Sequence, residues 1–356
     1  MSDENRKREL LPDVLRGFAV CLVILGHCIQ EGSGEAFRLQ QAYFDDTLYQ
    51  LIYSFHMPLF MLVSGWLARY SMKDGITRRQ QVEILLKRTK SLLIPIFGWT
   101  ALDFIRIFVI NEYKGYPHAA FMEGMIKYFL SAFENLWFLW AVFWCFWAVW
   151  LVHYWFHDSI WLYMIGFIAM FLIPDGLGLG AYKYMFPYYV AAFYLNGHIA
   201  EFDKKVLAHP RNRLFSMMGM GVFWIVLFIA FFEKDTFIYL SGYKLIGKNV
   251  GRQLLIDGYR MLVGFAGSDF FILLWREILT IFNKYHFPIL ARLGQDSMGI
   301  YAISGYILVL EVAALTPNVS PSYALNLAEM LIVLVTSAII TEMLGQIPAI
   351  NRLVGK

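Results

Sequence analysis

Apolar runs of about 20 residues recur from one end of this chain to the other, and each is long enough to cross the roughly 30 Å hydrocarbon core of a bilayer as a helix. Such a chain folds as a bundle of spanning helices, because in lipid every backbone N–H and C=O must be bonded within its own segment. The balance of residues agrees: 59% are hydrophobic, 18% aromatic and only 16% charged, with no soluble domain, internal repeat or low-complexity tract. The expected fold is all-α, a polytopic integral membrane helical bundle of about ten transmembrane helices forming one domain over residues 1–356. The spans are read at about 14–30, 47–68, 91–110, 134–153, 159–174, 181–200, 214–232, 253–274, 295–314 and 323–344.

Charge orients these spans. The stretch at about 69–90 carries Arg69, Lys73, Arg78, Arg79, Lys87, Arg88 and Lys90 against Asp74 and Glu83, which marks a cytosolic loop by the positive-inside rule. Alternation then puts Arg6, Lys7, Arg8, Lys204, Lys205, Arg211, Arg213, Arg276, Lys284, Arg292 and Arg352 on the same side, with both termini cytosolic. Residues 233–252 argue the other way, since Lys234, Lys244, Lys248 and Arg252 fall in a loop assigned outside. Met1 to Glu9 is polar and leads straight into two apolar runs, so a short cytosolic tail at about 1–12 is expected and not a cleaved signal peptide. Cys21, Cys28 and Cys145 all fall in apolar segments, which gives neither a disulfide framework nor metal-ligand spacing.

Within the first span, Arg16 and His27 are separated by ten apolar or small residues. Eleven helical steps rotate about 1100°, close to three full turns, and climb about 16 Å, so both side chains share one face. Ionisable groups inside a membrane point into a bundle or a wet cavity, and such a pair on one stripe marks a pathway. In the second span His56 stands two residues before Pro58, which cannot donate to the helix ladder and crowds the carbonyl of Ser54, so a kink or widened turn is expected at the histidine. Asp13 with Arg16, Asp103 with Arg106 and Asp257 with Arg260 are each spaced to pair along a helix, as mutual neutralisation or as substrate ligands. The series Trp137, Trp140, Trp144, Trp147, Trp150 marks one helix face, for membrane packing or for stacking on a sugar. Buried Arg, Asp and His also serve transport, so a transporter or flippase for a small polar solute or lipid-linked sugar is the competing class, although the inverted repeat expected of one is not visible.

Four ordered blocks then carry a family resemblance. Asp13-Val-Leu-Arg-Gly-Phe-Ala with His27, Phe55-His-Met-Pro-Leu-Phe with Ser64-Gly65, Leu136-Trp-Phe-Leu139, and Gly294-Gln-Asp-Ser-Met-Gly-Ile-Tyr301 resemble the membrane acyltransferase-3 family over nearly the whole chain. The His-Met-Pro-Leu-Phe form and the closing Ile347–Lys356 tail are similar to the branch that includes fucose O-acetylases of bacterial surface sugars. The chain departs from many members in having Ser304 where they have a histidine, and Lys87-Arg-Thr-Lys before Pro95 where they have an Arg-x-x-Arg pair.

The resemblance implies an O-acyltransferase of the bacterial inner membrane. It would move an acyl group, usually acetyl, from cytosolic acetyl-CoA to a hydroxyl of a cell-envelope polysaccharide or lipid-linked sugar, with membrane lipid around it and neither metal nor nucleic acid involved. A sugar hydroxyl attacking a thioester needs a group to take its proton, and imidazole titrates near neutrality. His27 is the first choice, as general base or as acyl-accepting nucleophile. Arg16 would hold a phosphate or the thioester carbonyl as charge develops, and His56 would be a second donor or orient the acceptor. Asp13, Lys87, Arg88, Arg260, Asp257 and Trp137 are the candidate substrate-binding residues. Lys87 and Arg88 have a rival role as topology signals or anionic-lipid contacts.

Overall fold

The first apolar run forms α1, Leu10–Glu31. In this computed structural model the described residues are 10–31, 42–115, 121–134, 136–173, 179–198, 209–230, 249–282, 287–304 and 322–356. Among them the chain is helical throughout, with no strand. The charges at Arg6, Lys7, Arg8, Lys204, Lys205, Lys234, Lys244, Lys248 and Lys284, and residues 305–314 of the expected ninth span, lie outside the described residues.

The second expected span is broken where Pro58 predicts. A helix α2, Thr47–Tyr53, ends at Ser54, and α3, His56–Ser71, starts at the histidine itself. Asp46 caps α2 by accepting from the Tyr49 N–H at 2.7 Å. Pro58 has no N–H to offer the Ser54 carbonyl, so the ladder restarts one residue on, where the Leu59 N–H donates to the Phe55 carbonyl at 2.8 Å.

The basic stretch read as a loop at 69–90 is mostly helix. Only a short turn separates α3 from α4, Arg78–Lys114, which opens with Thr77 and Gln80 in a reciprocal capping box and closes on Gly115 in the left-handed conformation. Capping chemistry decided this boundary, because charge alone does not oppose a helix. Next come α5 (Phe121–Glu134), absent from the expected spans, then α6 (Trp137–Phe156), α7 (Ile160–Met170) and α8 (Leu179–His198). The series continues with α9 (Pro210–Ile229), α10 (Val250–Ile281), α11 (Pro288–Gln295), α12 (Ser297–Ile303) and α13 (Tyr323–Gly345).

Six of the described segments are long and apolar enough to cross a membrane: Leu10–Gln30, Thr47–Ser71, Arg78–Lys114, Trp137–Phe156, Pro210–Ile229 and Tyr323–Gly345. The helices α8 and α10 have spanning length, 20 and 32 residues, but do not meet the same standard. Each buries charge, with Lys183 on α8 and Asp257 and Arg260 on α10.

At the centre, α1 and α3 pack against one another and against α10, α3 lies along α8, and α6 covers α8. The apolar stretch of α4 is only 22% buried, so Ile105, Phe108 and Val109 face outward on the lipid side of the bundle. Two close crossings set the helix spacing. A side chain on Gly65 would run into the Tyr189 carbonyl of α8, and side chains on Gly17 and Gly294 would run into the carbonyls of Leu290 and Asp13, so α1 and α11 touch backbone to backbone.

Candidate active site

The Gly17–Gly294 contact brings the first and last sequence blocks together. Arg16 donates from Nη2 to Ser297 Oγ at 2.8 Å, across 281 positions of sequence. Its Nη1 stands 3.9 Å from Asp13 Oδ1, and Gln295 Nε2 donates to Asp13 Oδ2 at 3.1 Å. Asp13 is buried, so its charge is balanced by this guanidinium and amide and not by water. The expected Asp13–Arg16 pair is therefore a looser contact than the one Arg16 makes to Ser297.

Arg16 lines a cavity of about 520 Å³ enclosed by α1, α3, α4, α6 and α12. At one end, called here the basic end, Arg16 is joined by Lys87 and Arg88 of α4 and by the hydroxyls of Ser71, Ser91 and Ser297. Arg88 is half-buried, its guanidinium 5.9 Å from the centre of the Phe146 ring, which is cation–π range. From there α3 presents Ala68, Leu67, Ser64, Phe60 and Met57 in succession, a stripe at helical spacing, and α6 presents Phe146, Val142, Leu139 and Phe138. On α1 the lining residues are Arg16 and Val23.

His27 stands one turn beyond Val23 on the same face of α1, and His56 is the residue before Met57, so both imidazoles lie just past the other end of the cavity and neither lines it. His56 is 2% exposed, and its Nδ1 lies 2.8 Å from the Ile52 carbonyl. A carbonyl only accepts, so Nδ1 carries the hydrogen and Nε2 is left as the lone-pair nitrogen. Tyr53 packs edge-on to the His56 ring at 4.7 Å and stacks on Tyr49 at 4.0 Å. Its ring also lies over Gly26, the residue before His27, so a single tyrosine contacts both histidine segments. His27 is half-buried and has no hydrogen-bond partner among the described residues.

The other expected site residues lie elsewhere. Asp257 and Arg260 are both 1% exposed on α10, where Asp257 accepts from Gln253 Nε2 at 3.0 Å and the Arg260 carbonyl accepts from Tyr184 at 2.9 Å; neither lines the cavity. Trp137 stands beside the cavity's end without lining it, its ring 6.0 Å from that of Phe138. Asp103 and Arg106 form their expected pair at 2.8 Å, partly exposed on α4 and away from the cavity. Ser304 is buried and donates only a long bond, 3.4 Å, to the Tyr301 carbonyl. Of the Trp series, Trp150 and Trp147 hold α6 to α4, donating to the Gln81 carbonyl and to Thr89 Oγ1. Among the described residues no group of His, Cys, Asp and Glu is arranged to hold a metal ion.

Ser64, Ser71, Ser91, Ser297, Met57 and Phe60 went unassigned in the sequence. The signal for three of them was present: Met57, Phe60 and Ser64 recur at intervals of three and four on the helix that His56 opens.

A family model for the acyltransferase domain matches residues 11–342. The chain belongs to the acyltransferase-3 family. That membership makes it a membrane acyltransferase and sets the transporter reading aside. Two curated members of similar sequence bear the name nodulation protein NolL. The one from Sinorhizobium fredii is 25% identical over 309 residues, 85% of this chain and 79% of the relative. The one from Mesorhizobium japonicum is 24% identical over 345 residues, 94% of this chain and 88% of the relative. No solved structure matches the chain.

Proposed function

We propose that this acyltransferase is an O-acetyltransferase of the bacterial inner membrane, moving acetyl from cytosolic acetyl-CoA to a hydroxyl of a cell-envelope polysaccharide or lipid-linked sugar. The observation that carries the reading is one cavity with a cationic, hydroxyl-rich end and an apolar far end that stops one helical turn short of His27. Acyl-CoA has this polarity: a charged diphosphate head, a flexible arm and a small apolar acyl group. Lys87 and Arg88 suit the phosphates, Arg88 more rigidly because Phe146 backs its guanidinium. Arg16, fixed by Ser297, is a third cation for the phosphates at this end, and the flexible arm then carries the thioester along the α3 stripe toward His27.

The chemistry assigned to His27 balances simply. The sugar oxygen forms a bond to the acyl carbon, the carbon–sulfur bond breaks, and the hydroxyl proton passes through the imidazole to the departing CoA thiolate. The same residue can instead carry the acyl group between two such steps as a nucleophile. His56, its Nδ1 bonded to the Ile52 carbonyl, would orient the acceptor or assist this proton transfer. Asp257, Arg260 and Trp137 are kept as acceptor-binding residues only in the weaker sense that carboxylate, guanidinium and indole recognise sugars.

The test is acetyl transfer by protein purified in a lipid nanodisc, with acetyl-CoA and a glycan acceptor. His27→Ala is expected to lower turnover by at least about 100-fold while leaving the protein folded, in line with the usual contribution of a general base. Near-normal turnover in that variant would remove the proposed mechanism. Absence of acetyl transfer to any envelope glycan by the wild type would remove the proposed reaction.

A further inference from the structure

The apolar end of the cavity is closed by side chains that the reaction itself does not require. Along each of the three helices that run its length, the lining residue nearest the histidines is apolar: Val23 on α1, Met57 on α3 and Phe138 on α6. Phe60 and Phe138 meet across the cavity with ring centres 5.5 Å apart and planes tilted by 57°, and Phe138 in turn meets Tyr301 of α12 edge-on at 6.2 Å. Three helices are thus tied by one row of rings at this end. Val23, Met57, Phe60 and Phe138 are 3%, 3%, 8% and 7% exposed, so on the side turned away from the cavity the row is backed by packed side chains.

We infer that the Phe60–Phe138 bar, with Met57 and Val23 behind it, is a gauge of acyl length that admits the shortest acyl groups of an acyl-CoA and rejects longer ones. The inference rests on the reading of this cavity as the donor site. With the diphosphate at Lys87, Arg88 and Arg16, the flexible arm runs along the α3 stripe and brings the acyl group up against the rings. Each further methylene must then displace an aromatic side chain held on two sides. A close-packed pocket discriminates by roughly 10–200-fold per methylene when the group does not fit.

The experiment compares acetyl-, propionyl-, butyryl- and hexanoyl-CoA as donors, reading kcat/KM for each. The wild type is expected to fall by at least about 10-fold per added methylene after the first one or two. Phe60→Ala is expected to raise the hexanoyl-to-acetyl ratio by 10-fold or more, and Phe60→Leu, a milder change in case the alanine variant fails to fold, to raise the butyryl-to-acetyl ratio. Phe146→Ala, at the basic end, is expected to raise KM for every donor together and leave the ratio where it was. A wild type that uses hexanoyl-CoA as well as acetyl-CoA overturns the gauge, and so does an unchanged ratio in both Phe60 variants. If no acyl-CoA is used at all by the wild type, the donor-site reading fails and the gauge falls with it.

Discussion

Arg16 is held by a contact that its own helix does not supply. The guanidinium donates from Nη2 to Ser297 Oγ at 2.8 Å, has its Nη1 3.9 Å from Asp13 and lines the cavity. A lysine has one ammonium on a flexible stem and cannot both hold Ser297 and present a planar pair of donors. Arg16→Lys is therefore expected to raise KM for acetyl-CoA by about 10-fold or more, the size of a lost charge-assisted hydrogen bond. Ser297→Ala frees the guanidinium without removing it, so KM should rise by less than in Arg16→Lys. Steady-state kinetics of the two variants check both, and unchanged values in Arg16→Lys would leave that residue as a helix anchor only. The shared face of Arg16 and His27 was legible from spacing, because helix geometry alone fixes it. The partner Ser297 was not, since nothing local marks a serine 281 positions away. The pairing of Asp103 with Arg106 was legible for the same local reason.

At the level of helices, the crossing of α1 and α11 decides whether the basic end exists. Gly17 and Gly294 let the two backbones touch, and a methyl group at either would press on a carbonyl oxygen of the opposite helix. Backbone cannot yield as a side-chain tip can, so the helices must separate, carrying Ser297 away from Arg16. Gly294→Ala is expected to cost about 2 kcal/mol or more and to lower the melting temperature in detergent by several degrees, measured by a thermal-shift assay. A melting temperature equal to wild type would show that the crossing is not close. At this scale the sequence reading was right about Pro58, whose missing N–H starts α3 at His56, and wrong about residues 69–90. Positive charge there marks the cytosolic side and does not distinguish loop from helix, whereas the Thr77–Gln80 capping box marks a helix start. The helix α5 was missed because its 14 residues are too few to span and so left no signal on a scale built for spans.

For the whole molecule, polarity is the property that gives the cavity its meaning. The basic end holds Arg16, Lys87 and Arg88, and near it Arg292 meets Asp296 and Glu342 at 3.0 and 2.6 Å while Lys356 bonds the same two carboxylates. If that end faces the cytosol, donor and acceptor enter from opposite sides and His27 stands on the route between them. The helix α4 offers the ruler for this test. Its 37 residues make it about 55 Å long, well beyond the roughly 30 Å core, so its two ends must emerge on opposite faces if it spans. Arg79 is exposed in its first turn, and Tyr113 is 91% exposed in its last. The native Cys28 and Cys145 are buried and Cys21 is half-buried within α1, which keeps background reaction with a membrane-impermeant maleimide low. Tyr113→Cys is expected to label in intact cells, and Arg79→Cys only after the membrane is permeabilised. The reverse pattern would put the basic mouth outside, where no acyl-CoA is supplied, and the cavity would then have to open toward the acceptor instead of the donor.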